Sequence, residues 1–310
     1  MLNTTATDTP RKRSWRNPSF AARQRRDGWL LCLPAIILII ALSLYPLIYS
    51  LWLAFHQWDL QTPGHGFIGF DNFSAAVRDD RLWASLRNTV FIVIVGVTLE
   101  FCFGLLLALL LVDSVNLRRF ILPIFILPVM MVPVVVGLAW RMLWDNQYGA
   151  VNYMIRSIFG NDVNIIWLGQ KNTAIIAMIV TQLWQWTPFM FLILLAALSS
   201  VNPELYEAAA LDGANWARLL IDITLPSIKH IVAVAILFRS LDAFKIFDLV
   251  YMFTQGGPGT STETVSWYIY RLGFQFFRMG YASAISYLVL IMLSFVATLY
   301  VSRFVREGRT

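Results

Sequence analysis

Charge is scarce in this sequence. Asp, Glu, Lys and Arg together supply 14% of its 310 residues, against roughly 25% in soluble domains, so a mainly water-facing globular fold is excluded. Cysteine is almost missing: Cys32 and Cys102 both lie within apolar runs, which excludes a disulfide scaffold and a thiolate metal site. Three scattered histidines, His56, His65 and His230, leave metal chemistry without ligands. No paired carboxylates or Ser–His–Asp arrangement can be defended from spacing alone. A Gly-x-x-x-x-Gly-Lys-[Ser/Thr] phosphate loop is also absent, so the chain is not expected to hydrolyse ATP or to be an enzyme at all.

What is present is apolar. Hydrophobic residues make up 58% of the chain, and membrane is the class to argue from. A helix needs about 20 apolar residues to cross the hydrocarbon layer. Six stretches meet or approach that, at roughly 29–55, 88–112, 120–143, 173–198, 228–252 and 281–304. The first is too long for a signal-peptide core, contains Pro34 and Pro46, and lacks a small-residue cleavage site, so it is expected to stay as a spanning helix. The formal charge of +6 does not indicate nucleic acid, because seven basic residues fall between Arg11 and Arg26, just before the first apolar run. Basic flanks of that kind mark the cytoplasmic side. Six spans put both termini there, with Arg303, Arg306 and Arg309 at the end and Arg118 and Arg119 in the short link Asp113–Arg119. The expected organisation is a basic cytoplasmic segment (1–28), a six-helix transmembrane domain (29–304) and a cytoplasmic tail (305–310). Segments 56–87, 144–172 and 253–280 are then external.

One cytoplasmic link, 199–227, is acidic and alanine-rich: Glu204, Glu207, Asp212 and Asp222 face Arg218 alone. It reads as a short helix capped by Asn202, with Pro203 in its first turn and Glu204 near the positive end of its dipole. Gly213 then permits a sharp change of direction. Trp216, Leu219 and Leu220 begin a second amphipathic piece expected to end before Pro226, which opens the next span. Such a knob suits docking onto a protein or lying on lipid. In the external segment, Thr254-Gln255-Gly256-Gly257-Pro258-Gly259-Thr260 is too rich in turn residues for helix.

These pieces together resemble the membrane subunits of binding-protein-dependent ABC importers, specifically the maltose-type sugar permeases. The shared signature is Glu-Ala-Ala, three residues, Gly, nine residues, Ile, one residue, Leu-Pro. Here it is Glu207-Ala208-Ala209, Gly213, Ile223 and Leu225-Pro226, with every spacing kept. Further likeness lies in Tyr45-Pro46, Ser50, Phe67 to Phe73, Asn88-Thr89, Leu127-Pro128 and Thr254 to Gly259. The last segment and Thr262-Glu263 look more like the maltose F-type subunit than its partner. The resemblance implies an all-α, polytopic fold with six transmembrane helices, the type I ABC importer permease fold. It also implies a second homologous permease, two ATP-binding subunits carrying ATP and Mg, and an extracytoplasmic solute-binding protein that delivers sugar. This chain would bind no cofactor itself and would sit in a bacterial or archaeal cytoplasmic membrane. Glu207 would be the polar contact to the ATPase and Gly213 the bend, Ala208 and Ala209 would allow close approach, and Asp212, Ile223, Leu225 and Pro226 would complete the coupling residues. Related permeases also carry polyols and glycerol phosphates, and a proton-coupled secondary transporter is the competing class.

Within the spans, Arg239, Asp242, Lys245 and Asp248 recur every three residues, so opposite charges can pair. Intramembrane charge is expensive, and the stripe should face a water-filled pathway or a subunit interface. Phe244 and Phe247 share this helix and suit either sugar stacking or core packing. Gln182, Trp184, Gln185, Trp186 and Thr187 precede Pro188, where amides and aromatics suit sugar hydroxyls and C–H faces. They equally suit the backbone groups that Pro188 frees. Glu100, a lone acid in the second span, is expected to hydrogen-bond across the bundle or pair with a base such as Arg141. Gly104 and Ala108 beside it form a small-residue face. Asn88 and Thr89 are expected to cap that span.

Overall fold

The computed structural model describes residues 18–62, 64–112, 115–160 and 164–305. The basic run Arg11–Arg16 and the tail from residue 306 lie outside the described residues. Contacts divide the chain into two units, Met1–Trp52 and Leu53–Thr310. The first is essentially one helix, α1 (Pro18–Ala54), which carries Pro34 and Pro46 and exposes Leu31, Leu42 and Ile48. Exposed aliphatic side chains along the apolar stretch of a helix are what lipid requires.

The second unit is all helix. Short α2 (Asp71–Val77) leads into α3 (Asp80–Leu111), whose N-cap is Asp79: its carboxylate accepts from the amides of Arg81 and Leu82. The second span therefore begins two turns before the expected Asn88–Thr89 cap. Those two residues lie inside α3 and serve another segment. Asn88 donates to the Glu263 carbonyl at 3.1 Å, and the Thr89 hydroxyl accepts from the Val265 amide at 3.0 Å.

The third expected span is two helices, α4 (Val115–Met130) and α5 (Pro133–Leu143), bent by 97°. Pro133 has no amide to continue the ladder and drives Val132 to an extended conformation, φ −63 and ψ 131. After α6 (Ala150–Phe159), α7 (Lys171–Leu198) runs unbroken through Pro188. It packs along α3 at close range: a Cβ on Gly104 would lie 3.0 Å from the Phe191 amide nitrogen. Ala108 is fully buried beside Met190, Phe191 and Leu194. Gly104 and Ala108 thus bring the two helices together where larger residues would hold them apart.

Helix α8 (Pro203–Leu211) and the single turn α9 (Trp216–Arg218) form the acidic link. A π-helical stretch (Leu219–Thr224) joins α9 directly to α10 (Leu225–Phe244). The second amphipathic piece does not end before Pro226, as its sequence suggests. Pro226 cannot donate to a carbonyl one turn back, and the wider π turn absorbs that loss. The Thr224 hydroxyl donates to the Leu219 carbonyl at 2.9 Å.

The fifth span also breaks. Helix α10 stops at Phe244 and α11 (Asp248–Phe253) follows after three residues. The Ile246 carbonyl freed at this break accepts from the Thr264 hydroxyl at 3.1 Å. Helix α12 (Val265–Tyr270) and α13 (Met279–Tyr300) complete the chain. Five helices among the described residues are long and apolar enough to span a membrane, and the bent α4–α5 pair makes a sixth.

Candidate functional site

The two breaks meet at a pocket of about 290 Å³, where Pro133 at the start of α5 faces α7 and the α10–α11 break. Non-helical backbone at membrane depth is tolerated where protein or a water-filled cavity surrounds it. Seven of the eight residues expected to line a pathway converge here: Gln182, Gln185, Trp186, Arg239, Asp242, Lys245 and Phe247. Phe244 does not. It is buried in the apolar cluster with Val93, Leu194 and Val265, because its helix face turns away from the break. The sequence reading missed Pro133 and Ile246, which line the pocket as backbone-break residues, and treated Asp248 only as part of a charge stripe.

The charges form a chain. Arg239, 1% exposed, donates through Nε and Nη2 to both carboxylate oxygens of Glu100 at 2.7 and 2.9 Å. Its Nη1 reaches Asp242 at 3.2 Å, and Lys245 lies 3.5 Å from the other Asp242 oxygen. Trp186 covers the guanidinium face, 4.6 Å from its ring centre. Glu100 therefore pairs across the α3–α10 contact with Arg239. Arg141 instead donates to the Met252 carbonyl at 2.8 Å, since α5 is folded away by the Pro133 bend. The pairs expected at three-residue spacing occur for the first three members of the stripe. Asp248 forms no ion pair among the described residues, because the break removes it from the helical register.

Neither glutamine is spent on packing. Gln185 donates to the Met131 carbonyl at 3.3 Å, a group released by the α4–α5 bend and not one of those expected from Pro188. The Gln182 Oε1 is buried with no protein partner. A buried acceptor without a partner costs about 1–3 kcal/mol.

A second polar cluster pins the segment that follows α11. Glu263, fully buried, accepts from Arg81 at 2.7 Å and from Arg271 at 3.4 Å. Asp79 accepts from the hydroxyls of Tyr268 and Tyr281 at 2.5 and 2.7 Å. Burial pushes the Asp79 carboxyl up, but these hydroxyls and the Leu82 and Arg81 amides outweigh it and hold it below the usual carboxylate value. Burial and the Asp79 charge push the Tyr268 phenol up. Nothing in the local sequence signals this cluster, because its members come from four separate elements.

The acidic link is a defined knob. Asn202 Oδ1 accepts from the Glu204 amide at 3.1 Å, and Pro203 occupies the first turn of α8. The other end closes with Gly213 at φ 74, its amide on the Ala210 carbonyl at 3.1 Å and the Ala214 amide on the Ala209 carbonyl at 3.0 Å. This double closure needs a left-handed residue, which glycine adopts without strain. Glu207, Ala208, Asp212 and Gly213 are exposed, and Leu211 is 91% exposed. Ala209, at 9% exposure, faces the chain itself. Ile223 and Leu225 are partly buried and Pro226 lies exposed in the first turn of α10. A contact between the Tyr206 and Thr224 hydroxyls at 3.2 Å ties α8 to the π turn.

Long apolar helices packed through small residues, two of the spans broken at one polar pocket, and an exposed capped knob define a multi-span membrane permease. The fold matches solved permeases of ABC importers. Over 93% of this chain and 98% of the other, a TM-score of 0.77 and 26% identity relate it to a chain of a bacterial alginate ABC transporter crystallised with an alginate pentasaccharide-bound periplasmic protein. The trehalose/maltose transport system permease protein MalF of Thermococcus litoralis is 32% identical over 290 residues, 92% of this chain and 96% of its own. The sulfoquinovosyl glycerol transport system permease protein SmoG of Agrobacterium fabrum is 34% identical over 279 residues, 89% of each chain. The chain belongs to the family of binding-protein-dependent transport system inner membrane components, whose profile matches residues 100–307. It is an all-α, non-catalytic membrane component of an ABC importer that works with a partner ATPase. No group of three or more His, Cys, Asp or Glu among the described residues is placed to hold a metal ion.

Proposed function

We propose that this chain forms, with a second homologous permease, the membrane pathway for a carbohydrate, and that the Glu207–Pro226 region carries force to that pathway from two ATP-binding subunits. An extracytoplasmic solute-binding protein delivers the sugar. The observation that carries the pathway assignment is the pocket at the two helix breaks, where amides, carboxylates and the Trp186 and Phe247 rings converge. Sugars bind through hydroxyls on such polar groups and through C–H faces on such rings. The relatives' names, which specify trehalose/maltose, sulfoquinovosyl glycerol and alginate, support a saccharide over a free polyol or a glycerol phosphate. The maltose F-type, six-span reading is supported by the full-length similarity to the archaeal trehalose/maltose permease. The basic residues ahead of the first apolar run support a cytoplasmic position for the termini and the α8 knob in a bacterial or archaeal inner membrane.

The α8 knob suits transmission because it is closed at both ends and tied to α10 through the continuous π turn. A shift of α8 then moves α10, which carries Arg239 and Asp242. The test is uptake of labelled maltose into proteoliposomes holding the whole transporter and its binding protein. Uptake should require ATP, should fall at least tenfold in Trp186→Ala, and should be lost in Gly213→Pro. Uptake driven by a pH gradient without ATP would instead establish a proton-coupled carrier.

A further inference from the structure

Two aromatic rings line the pocket, and they are held in different ways. Phe247 is wedged among Tyr251, Trp267 and Tyr270, whose ring centres lie 5.7, 5.8 and 5.0 Å from its own. Trp186 has a single aromatic neighbour among the described residues, the edge-on Phe189 at 6.3 Å. Its face lies instead on the Arg239 guanidinium, 4.6 Å from the ring centre. A stacked guanidinium can orient a ring only if its own plane is fixed, and Glu100 fixes it. Nε and Nη2 of Arg239 donate to the two carboxylate oxygens of Glu100 at 2.7 and 2.9 Å, a two-point grip that sets the plane. Nη1 is held by Asp242 at 3.2 Å. Arg239 borders the pocket yet is 1% exposed, so it offers a ligand almost no surface of its own. Trp186 is only partly buried and presents to the pocket what Arg239 holds in place.

We infer that Arg239 is a positioning residue: braced by Glu100, it fixes the Trp186 ring as the stacking platform for the saccharide and does not bind the saccharide itself. A ring already held in one orientation gives up little freedom when a ligand stacks on it. Without the guanidinium the ring samples several rotamers, and only the competent fraction binds. The inference rests on the carbohydrate-pathway reading and goes further by giving the buried ion pair a task in recognition.

The test uses the assembled transporter in lipid nanodiscs without its binding protein, so that only the membrane site is read. The variant combining Glu100→Met with Arg239→Met removes one charge of each sign and fills the space with flexible chains that present no plane to the indole. Asp242 keeps Lys245 as a partner, 3.5 Å away. Saturation-transfer NMR should show maltose bound about fivefold more weakly by this variant than by the wild type. Adding Trp186→Ala to it should give the same affinity as Trp186→Ala alone, because a bracket has no effect once the ring is gone. A purely structural loss would instead add to the loss from Trp186→Ala. 5-Fluorotryptophan in the chain reads the ring directly, its Trp186 resonance being the one missing from Trp186→Phe. That resonance should be sharp in the wild type and broadened or shifted in the double methionine variant. An unchanged resonance overturns the inference, as does an additive loss of affinity in the triple variant. If Trp186→Ala binds maltose as the wild type does, or the wild type does not bind it, the carbohydrate reading of the pocket is wrong and the bracket falls with it.

Discussion

Removal of the Glu100 side chain is the sharpest perturbation the structure offers. Glu100 is fully buried, Arg239 is 1% exposed, and they share two hydrogen bonds of 2.7 and 2.9 Å. Glu100→Met strands a buried guanidinium with only the half-exposed Asp242 as counter-charge. Truncating one partner of such a pair costs about 3–5 kcal/mol. Arg239→Met should cost less, since a carboxyl group can be neutralised by a proton whereas a guanidinium cannot. It also loses the stacking on Trp186, about 1 kcal/mol. The double variant removes both charges and fills the space with apolar atoms, so its stability should return to within about 1–2 kcal/mol of the wild type. Steric trapping in bicelles measures these free energies without heating the protein to irreversible unfolding. A cost below about 1 kcal/mol for Glu100→Met, or a double variant as unstable as the two singles added together, would refute the pairing as the source of the α3–α10 contact.

Other consequences are local. Gly104→Val should destabilise the chain by about 1–3 kcal/mol, because its Cβ would sit 3.0 Å from the Phe191 amide nitrogen; the same assay reads it. Ala208→Arg, at an exposed position of α8, should leave folding unchanged and abolish co-purification of the ATP-binding subunit. Ala209→Arg should already lower stability in the isolated chain, because that side chain is buried. The Asp79 carboxyl is held below its ordinary value of 3.8, so its contribution is present above that pH and is lost as pH falls through the lowered native value. Tyr268 is shifted upward from 10.0, so its contribution is present below that pH and is lost as pH rises beyond it. Asp79→Asn should therefore flatten the acid limb of a stability profile read by tryptophan fluorescence.

Much of the site was legible from spacing alone. Gln182, Gln185 and Trp186 lie within five residues of one helix, and Arg239, Asp242 and Lys245 follow at helical intervals. Local order was enough to place each group on one face. Spacing left Phe244 between core and pocket, because an aromatic ring at that position fits both, and only the neighbours Val93, Leu194 and Val265 distinguish them. The burial of Ala209 was equally hidden: a methyl group carries no sign of which side of a short helix will be covered.

The ends of α8 and the apolar lengths of the spans followed from sequence by itself. Asn202, Pro203 and Gly213 dictate where α8 begins and ends through backbone hydrogen bonding and permitted φ, and apolar length marks the spans. Tertiary structure decided the partners. Glu100 and Arg239 are separated by 139 residues, and no periodicity relates residues on different helices. The α10–α11 break carries neither glycine nor proline, and its freed Ile246 carbonyl finds Thr264 from another segment. A buried charge or an open carbonyl is tolerable only where the fold supplies its complement. That requirement belongs to the packed molecule and cannot be read along the chain.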